Sequence, residues 1–276
     1  MTKKYTIGMI GGKGKMGHCL EPIFKRHCHE ILFSDESNSE EVVKASDIVI
    51  FTVPITKTVS VIESLIPYIR KEQLLLDFTS LKEKPCDAML KSPAFVIGMH
   101  PMFGPSVKSM EGQTVVLCPE RPGDWLDWIV HLLREEEANV IQTTPEKHDR
   151  MMAVVQCLVH FTSLIFSQTM KQEGIDPQEL FHFASPVYRM QLNIAGRIAR
   201  QSAELYRDIQ FENPAFEETL CHMNTAFENL KKAVLNKDSQ NFENVFKEVQ
   251  DFLGEDVLEE GQKMTDEFIQ LMRTKC

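Results

Sequence analysis

Polar side chains that could move a proton follow two predicted strands of the chain. One strand, Leu74–Asp77, runs into Ser80, and a later strand runs into a turn that contains His100. A neutral histidine, with an unperturbed pKa of about 6.5, can take a proton from an alcohol while hydride leaves the carbinol carbon. A serine hydroxyl can hydrogen-bond the same oxygen. A lone histidine is usually structural, but its position makes His100 the candidate base, with Ser80 beside it.

A glycine-rich loop follows the first predicted strand, Thr6–Ile10. Its three spaced glycines form the pattern Gly-x-Gly-x-x-Gly, which allows a tight turn, close approach to a pyrophosphate and close packing of helix on strand. Backbone N–H groups at the start of the next helix would hold the phosphates. The candidate cofactor contacts here are Gly12, Gly14, Lys15, Met16 and Gly17.

A carboxylate stands where a dinucleotide-binding fold binds the adenosine ribose. Asp35 follows the second predicted strand, about 20 residues beyond the glycine pattern. A carboxylate there repels a 2′-phosphate, and no arginine follows it closely, so the sequence favours NAD over NADP; by itself Asp35 is equally compatible with a turn residue. Val53 and Pro54 end the third predicted strand and are also expected to touch the cofactor, although a plain strand-ending proline is the alternative.

Short apolar runs alternate with helix-like segments up to about residue 145, and several runs are apolar throughout, as in strands covered on both faces. This alternation predicts an α/β Rossmann-type domain over residues 1–145, with a mainly parallel, doubly wound sheet. The predicted strands are Thr6–Ile10, Ile31–Phe33, Ile48–Val53, Leu74–Asp77, Phe95–Gly98, Thr114–Leu117 and Val140–Gln142.

From residue 146 to 276 apolar residues recur every three or four positions, which predicts an all-α C-terminal domain. Thr144 and Pro145 are typical of the cap and first residue of a helix. The apolar content predicts a homodimer through this domain, although a monomeric helical lobe could carry the same residues. The predicted helices are Lys147–Gln172, Pro177–Arg200, Asn213–Leu235 and Ser239–Thr274, and the apolar residues singled out are Met151, Met152, Phe161, Leu164, Ile165 and Phe166.

Composition narrows the classes of partner. The 276 residues carry 30 Lys+Arg against 40 Asp+Glu, a net charge of −10, which disfavours nucleic acid and anionic membranes. No apolar run approaches the roughly 20 residues of a membrane span, and a glycine turn comes too early for a signal peptide. Seven cysteines without a Cys-x-x-Cys pair predict free thiols and a cytoplasmic protein. No metal-ligand spacing occurs, so we expect no metal.

The sequence resembles the prephenate dehydrogenases over essentially its whole length, most closely the dehydrogenase half of the bifunctional chorismate mutase–prephenate dehydrogenases of bacteria. The most specific matches are His-Pro-Met-Phe-Gly at 100–104 and Ser-Pro-Val-Tyr-Arg at 185–189. The other matching segments are the glycine pattern, Val53-Pro54, Thr-Ser-Leu-Lys at 79–82, Glu146-x-His148-Asp149, His160-Phe161, Gly196-Arg197 and residues 204–209.

This resemblance implies NAD-dependent oxidative decarboxylation of prephenate to 4-hydroxyphenylpyruvate in tyrosine biosynthesis. By matching positions, His100 would accept the proton of the ring hydroxyl and Ser80 would position that hydroxyl. No metal takes part in the implied reaction.

The two carboxylates of prephenate require local positive charge on an acidic protein. The resemblance selects Arg197 as the principal substrate arginine, with Tyr206 nearby in the pocket. Arg189, two turns earlier in a predicted helix, is the second choice, because an arginine fork binds carboxylates bidentately. His160 would be a core residue by default, whereas the resemblance implies a pocket residue that also touches tyrosine in feedback inhibition. The chain departs from the bifunctional pattern at Val159, where arginine is usual.

Three other functions compete with this one. A two-domain dehydrogenase of the hydroxyacid type commonly relies on a lysine in its helical domain, and the histidine turn fits that chemistry poorly. Arogenate dehydrogenase shares the fold, and it would benefit from a carboxylate facing the substrate's ammonium group. Residues 105–110 contain no acid, but Glu111 is close enough to keep this alternative open. A non-catalytic NAD-binding regulator is the alternative of a different class, against which Ser80, His100 and Arg197 together argue.

We expect Arg200 and Arg207 to be solvated or paired with helix neighbours.

Overall fold

The computed structural model describes residues 4–27, 30–35 and 37–273. Within them, seven strands form one sheet in the order β2-β1-β3-β4-β5-β6-β7. The strands are β1 Thr6–Ile10, β2 Glu30–Ser34, β3 Ile48–Phe51, β4 Leu74–Asp77, β5 Phe95–Pro101, β6 Thr114–Arg121 and β7 Asn139–Gln142. Neighbouring strands run parallel except β5 and β6, which confirms the prediction of a mainly parallel sheet.

Helices connect the strands and then continue alone after β7. The first helices are α1 Lys15–Arg26, α2 Ser39–Ala45, α3 Ile55–Leu65, α4 Glu83–Leu90, α5 Trp125–Glu135 and α6 Pro145–Met152. The later ones are α7 Val159–Glu173, α8 Pro177–His182, α9 Pro186–Ala199, α10 Ala203–Glu212, α11 Phe216–Leu235 and α12 Ser239–Arg273. A π-helical turn, Ala153–Leu158, joins α6 to α7, and a 3₁₀ turn, Ile66–Tyr68, follows α3.

The central strands of the sheet are buried on both faces, as in a doubly wound sheet. Successive residues of a strand point to opposite faces, and in β3 and β4 both sets are fully buried. Ile48 and Leu76 belong to one apolar cluster, whereas Val49 and Leu75 belong to the other. This double burial explains why the central strands are continuous apolar runs in the sequence.

The chain divides into two compact units. The first consists of residues 1–157 and 203–216, and the second of residues 158–202 and 217–276. The change from strands to helices lies near residue 145, where Thr144 caps α6 by accepting a hydrogen bond from the Lys147 N–H at 3.2 Å. The first unit continues past that point because helix α6 and all but the last residue of the π-helical turn belong to it, and α10 returns to it.

Three local expectations were wrong. The segment Pro177–Arg200 is not one helix, because Ser185 and Pro186 cap and begin a new one, α9. Helix α10 was not predicted at all. The strand β5 extends through Pro101, so His100 lies in a strand rather than in a turn. It pairs there with Val116 of β6.

The last helix also differs from its prediction. Gly254 interrupts α12 with a non-helical φ of 72°, so two helical segments meet there. Its predicted end, Thr274, lies outside the described residues.

One helical stretch is longer and more apolar than expected. Pro145–Glu173, 29 residues long, has a mean hydropathy of 1.4 over its most apolar 18-residue window, enough by length and composition to cross a membrane. The sequence predicted a helix here, Lys147–Gln172, but not one apolar enough to span a membrane, because polar residues interrupt the apolar ones. The π-helical turn and the buried residues His148 and Asp149 lie within this stretch, and the core helix of a soluble protein can pass the same test.

Candidate active site

The carboxyl ends of the parallel strands gather the predicted residues of the first unit at one sheet edge. The glycine loop follows β1, Asp35 follows β2, and Val53 follows β3. Ser80 follows β4, and His100 lies near the end of β5, whose Gly98 pairs with the last residue of β4. In open α/β sheets, ligands bind at this edge, where the strand order reverses. Here the reversal lies between β1 and β3.

The glycine loop has no room for side chains at two of its three spaced positions. A Cβ on Gly17 would lie 1.9 Å from the carbonyl oxygen of Gly12, and one on Gly12 would lie 2.5 Å from Met9 Cβ. At Gly14 the nearest atom would be 3.4 Å away, an ordinary contact. Gly14 also caps α1, whose first turn contains no acidic residue. The loop therefore leaves the start of α1 open to an anion, as a pyrophosphate requires.

Lys15 and Met16 form the first turn of α1. The Lys15 side chain is exposed, whereas Met16 is half-buried and packs against the apolar core beneath the loop. Their backbone N–H groups lie in the first turn, where they can serve a phosphate, and the Met16 side chain supports the loop from below.

Asp35 directly follows β2, as predicted, and it is already engaged by its neighbours. Lys13 Nζ donates to its Oδ2 at 2.7 Å, and the Ser37 N–H and hydroxyl donate to Oδ1 at 3.0 and 2.6 Å. These bonds hold the pKa of Asp35 well below its usual value, with Lys13 as the largest cause. The sequence did not predict that a lysine of the glycine loop pairs with this carboxylate.

Val53 lies against the glycine loop. A Cβ on Gly11, whose φ is +75°, would lie 2.7 Å from Val53 Cγ1. Pro54 is exposed and begins α3 as its N-cap. Val53 is therefore next to the predicted phosphate loop, and Pro54 acts locally as the start of a helix.

His100 belongs to a buried chain of three polar side chains. Its Nδ1 lies 2.9 Å from His148 Nε2, and His148 Nδ1 lies 2.7 Å from Asp149 Oδ1. All three residues are buried. Burial lowers the pKa of His100 well below its ordinary value, and the nearby His148 and Lys82 lower it further. His100 is thus held neutral at neutral pH, the state in which a histidine acts as a base.

The Asp149 carboxylate is fixed by the start of α4. The backbone N–H groups of Lys82 and Glu83 donate to its two oxygens at 2.7 and 3.0 Å. Asn213 Nδ2, from the segment that returns to the first unit, donates to the Asp149 carbonyl at 2.9 Å. Two separate segments of the polypeptide, the start of α4 and the segment with Asn213, therefore hold Asp149, the residue farthest from His100, in place.

A buried ion pair lies under both strand ends. Lys82 Nζ donates to Asp77 Oδ1 and, at 3.2 Å, to the carbonyl of Met99, the residue before His100. Asp77 Oδ1 also accepts from the Thr79 N–H and hydroxyl at 3.1 and 2.6 Å. The pair thus links the turn that carries Ser80 to the strand that carries His100. Ser80 itself is half-buried in that turn.

A glutamine from the π-helical turn faces the other ring nitrogen of His100. Gln156 Nε2 lies 3.5 Å from His100 Nε2. Its Oε1 is buried and has no hydrogen-bond partner among the described residues. π-Helical turns are frequent at functional sites because they re-aim one side chain. An unpartnered buried polar atom beside the candidate base is suited to a substrate hydroxyl.

The predicted substrate residues are divided between the two units. Tyr206 lies on α10 in the first unit and is half-buried. Arg197 and Arg189 lie on α9 in the second; Arg197 is exposed, and the Arg189 guanidinium lies 5.6 Å from the centre of the Phe181 ring. His160 lies on α7 of the second unit, where burial lowers its pKa to about 4.

The remaining candidates are placed as follows. Arg207 Nη2 lies 2.6 Å from Asp208 and 3.7 Å from Glu204, and Arg200 is exposed at the end of α9. Met152, named for the dimer surface, is instead buried in the first unit. Among the residues that the structure describes, no three His, Cys, Asp or Glu side chains cluster as metal ligands.

Sequence reasoning missed His148, Asp149, Lys82 and Gln156 as neighbours of His100. His148 is 48 residues away along the chain, so no spacing rule connects the two histidines. The one available signal was the pair His148-Asp149 in the first two turns of a capped helix, directly after the last strand. Burial of a lysine next to an aspartate is not visible from sequence.

Comparison with known proteins identifies both halves. Residues 24–142 match the model of the prephenate dehydrogenase nucleotide-binding domain, and residues 144–248 match that of the prephenate dehydrogenase dimerization domain. The fold resembles the crystal structure of prephenate dehydrogenase from A. aeolicus in complex with hydroxyphenyl propionate and NAD+, with a TM-score of 0.73 and 18% identity over 90% of this chain and 96% of that one.

Two curated relatives are similar over most of this chain. A probable arogenate/prephenate dehydrogenase of Methanocaldococcus jannaschii is 39% identical over 90% of this chain, which spans 61% of that protein. The T-protein of Haemophilus influenzae is 33% identical over 91% of this chain, which spans 68% of that protein. Together with the site geometry, these matches show that the chain belongs to the prephenate dehydrogenase family, with a nucleotide-binding domain followed by the family's dimerisation domain.

Proposed function

We propose that the chain is an NAD-dependent prephenate dehydrogenase, which converts prephenate to 4-hydroxyphenylpyruvate and carbon dioxide in tyrosine biosynthesis. The observation that carries the proposal is the buried, neutral His100 at the sheet edge that also holds the glycine loop. A base at that edge can work on a substrate bound against a dinucleotide. Membership of the prephenate dehydrogenase family supports the choice of substrate.

The residues around the loop fit NAD. Gly12, Gly14 and Gly17 leave the start of α1 accessible to a pyrophosphate. Asp35 is ionised at the position of a ribose-binding carboxylate, where it would repel a 2′-phosphate. Lys13 would have to share Asp35 with the ribose hydroxyls. When bound, NAD accepts the hydride that the carbinol carbon of the substrate loses.

His100 moves the proton of the reaction. Its Nε2 takes the proton of the ring hydroxyl as the hydride leaves, which turns the carbinol into a carbonyl. The bond from the ring to its carboxylate then breaks, carbon dioxide departs, and the electron pair makes the ring aromatic. The resulting phenolate oxygen takes the proton back from His100. Prephenate and NAD thus yield 4-hydroxyphenylpyruvate, carbon dioxide and NADH without net release of a proton.

The other site residues bind and orient. Ser80 is proposed to hydrogen-bond the ring hydroxyl, and Arg197 to bind a carboxylate of prephenate, with Arg189 in second place. His160 and Tyr206 are proposed as further pocket residues. Free tyrosine, which shares the aromatic ring of the product, is proposed as a feedback inhibitor that touches His160.

The helical part is proposed to form a homodimer. Its match to a dimerization domain supports this, and so do the exposed apolar residues of α7, Leu164 and Ile165. Free thiols at Cys19, Cys86 and Cys118, among other described cysteines, support a cytoplasmic location.

Nicotinamide reduction by the purified protein tests the proposal, with prephenate or arogenate each combined with NAD or NADP. Turnover of prephenate with NAD to 4-hydroxyphenylpyruvate is the expected result. Turnover of arogenate alone would keep the chemistry and change the substrate. The 39% identical relative, a probable arogenate/prephenate dehydrogenase, is the reason to include arogenate. No turnover in any mixture, by protein that still binds NAD, would favour a non-catalytic regulator.

A further inference from the structure

We propose that His148 and Asp149 form a relay with His100 that determines which ring nitrogen of His100 acts as the base. The inference rests on the proposed function, in which His100 takes a proton from the substrate. His148 and Asp149 do not touch the substrate in this scheme. They are positioning residues, and Asp149 is the buried end of the relay.

The Asp149 carboxylate can only accept hydrogen bonds. Two of its three partners are the backbone N–H groups of Lys82 and Glu83, which can only donate. An ionised carboxylate with such partners has no proton to give. The third partner, His148 Nδ1 at 2.7 Å, must therefore carry a hydrogen and donate it.

The protonation of His148 then fixes that of His100. A neutral imidazole with its hydrogen on Nδ1 has a lone pair on Nε2. His148 Nε2 lies 2.9 Å from His100 Nδ1, so His100 donates from Nδ1 and keeps the lone pair on its own Nε2. That nitrogen is the one that faces Gln156. The relay thus presents the basic nitrogen of His100 on the side away from His148.

The relay also stabilises the protonated state that forms during the reaction. When His100 Nε2 takes the substrate proton, the ring becomes positive and its Nδ1–H becomes a stronger donor to His148. The negative Asp149, on the far side of His148, favours that positive charge. Lys82 opposes it, but the Lys82 charge is paired with Asp77. The Nδ1 and Nε2 protons stay on their own sides throughout, so no further reactant is needed.

This arrangement offsets the effect of burial. A histidine removed from water resists protonation, and the pKa of His100 is accordingly lowered. A base that is too weak transfers protons poorly. A hydrogen-bond acceptor and a carboxylate behind His100 restore part of its proton affinity without giving water access to the site.

Two substitutions of His148 test the relay by steady-state kinetics. His148→Phe removes the acceptor for His100 Nδ1, and we expect kcat to fall about 100-fold with the KM for prephenate changed by less than about threefold. His148→Gln restores an acceptor but not the link to Asp149, so its kcat should lie between that of the wild type and that of His148→Phe. Met152→Ala, a packing loss at a buried residue of the same helix, is the control and should keep kcat within about threefold.

Histidine-selective ¹⁵N NMR supplies a readout that simple damage to packing would not produce. The resonances missing from His100→Asn identify His100, and in the wild type they should show hydrogen on Nδ1 and a lone pair on Nε2. In His148→Phe this preference should be lost. His148→Gln, which keeps an acceptor for His100 Nδ1, should retain it, and this variant supplies the readout if His148→Phe does not fold.

The opposite results would overturn the proposal. They are a wild-type His100 protonated on Nε2, or kcat in both His148 variants no lower than in Met152→Ala. Because the NMR measurement needs no substrate, it judges the relay even if the wild type turns over neither prephenate nor arogenate, which would instead overturn the proposed function.

Discussion

The two compact units treat their apolar side chains differently. In the first unit, every residue of β3 and β4 is fully buried, and the sheet is covered on both faces. In the second, large apolar side chains remain open, with Phe252 86% and Phe183 82% exposed. The sheet of the first unit therefore completes its core within one chain. That unit exposes few large apolar side chains, of which Phe211 at 78% is the most open, whereas the second unit retains an apolar surface of the kind that interfaces cover.

Polar chemistry follows the same division. The first unit buries an ion pair, two histidines and an aspartate. Each has at least one hydrogen-bond partner, although Asp77 Oδ2 has none among the described residues. The ion pair of the second unit between Lys231 and Glu228, in contrast, is exposed, with side chains about half open to solvent. Buried polar groups are expensive unless they are satisfied. Function, rather than stability, therefore explains why the first unit has these buried polar residues.

The largest expected effect is the loss of the base in the first unit. His100→Asn should lower kcat by about 1,000-fold while the Kd for NAD and the KM for prephenate change by less than about threefold, because general base catalysis contributes 10²–10⁴. Stopped assays of NADH formation and a fluorescence titration with NAD would measure both. His131→Asn, at a histidine 67% exposed on α5, is the matched control. Full activity of His100→Asn would contradict the mechanism.

Removal of one partner of the buried ion pair should come next. Lys82→Met leaves the Asp77 carboxylate buried without its cation, and we expect the free energy of unfolding to fall by about 3–5 kcal/mol. Lys231→Met, at the exposed pair of the second unit, should cost less than about 1 kcal/mol. Denaturant titration of both variants measures the contrast. Equal losses in the two variants would remove the distinction between the units.

A charge on the apolar surface of the second unit should weaken self-association. Phe227, Leu230 and Val234 are exposed and lie one turn apart on one face of α11. In a two-fold dimer each substitution is present twice, so Phe227→Glu should raise the dimer dissociation constant by at least about 100-fold if this face is in the contact. Light scattering coupled to size exclusion measures it. Asn229→Glu, exposed on the same helix, should leave the dimer intact, and a dimeric Phe227→Glu would place the contact elsewhere.

The smallest expected effect concerns substrate binding by the second unit. Arg197→Ala should raise the KM for prephenate about 10- to 100-fold with kcat less affected, since a hydrogen bond to a charged group contributes about 1.5–3 kcal/mol. Arg200→Ala, three residues further along α9, should behave as the wild type. If Arg197→Ala changed only NAD binding, the assignment of this arginine to the substrate would fail.

The sequence predicted the sheet better than the helices, for physical reasons. The central strands, which are buried on both faces, are short continuous apolar runs, and the two edge strands β2 and β7 were also predicted. The helices α8 and α9 merged in the prediction, because the apolar spacing continues across the cap at Ser185. Helix α10 was missed, since its buried residues are as few as Asp208 and Ile209.

The candidate site was predicted at the strand ends but not between them. The alternation of strands and helices in the sequence predicts the topology of the sheet. That topology alone brings the glycine loop, Asp35 and His100 to one sheet edge. The contact of His148 with His100 depends instead on where α6 packs, and the approach of Gln156 depends on a π-helical turn. The pair His148-Asp149 in a capped helix marks these residues in the sequence, but nothing local in the sequence predicts which residue either His148 or Gln156 contacts.

The complete burial of Lys82 makes it an internal reporter of opening in the first unit. An amine must be uncharged and reachable before it can be acylated, and Lys82 Nζ is a cation held by Asp77 with no exposure to solvent. Its exposed neighbour Lys84, two residues away, should acylate at once. The ratio of modification at these two lysines, measured by mass spectrometry over time, would therefore report how often the region around the Lys82–Asp77 pair opens while the rest of the chain remains folded.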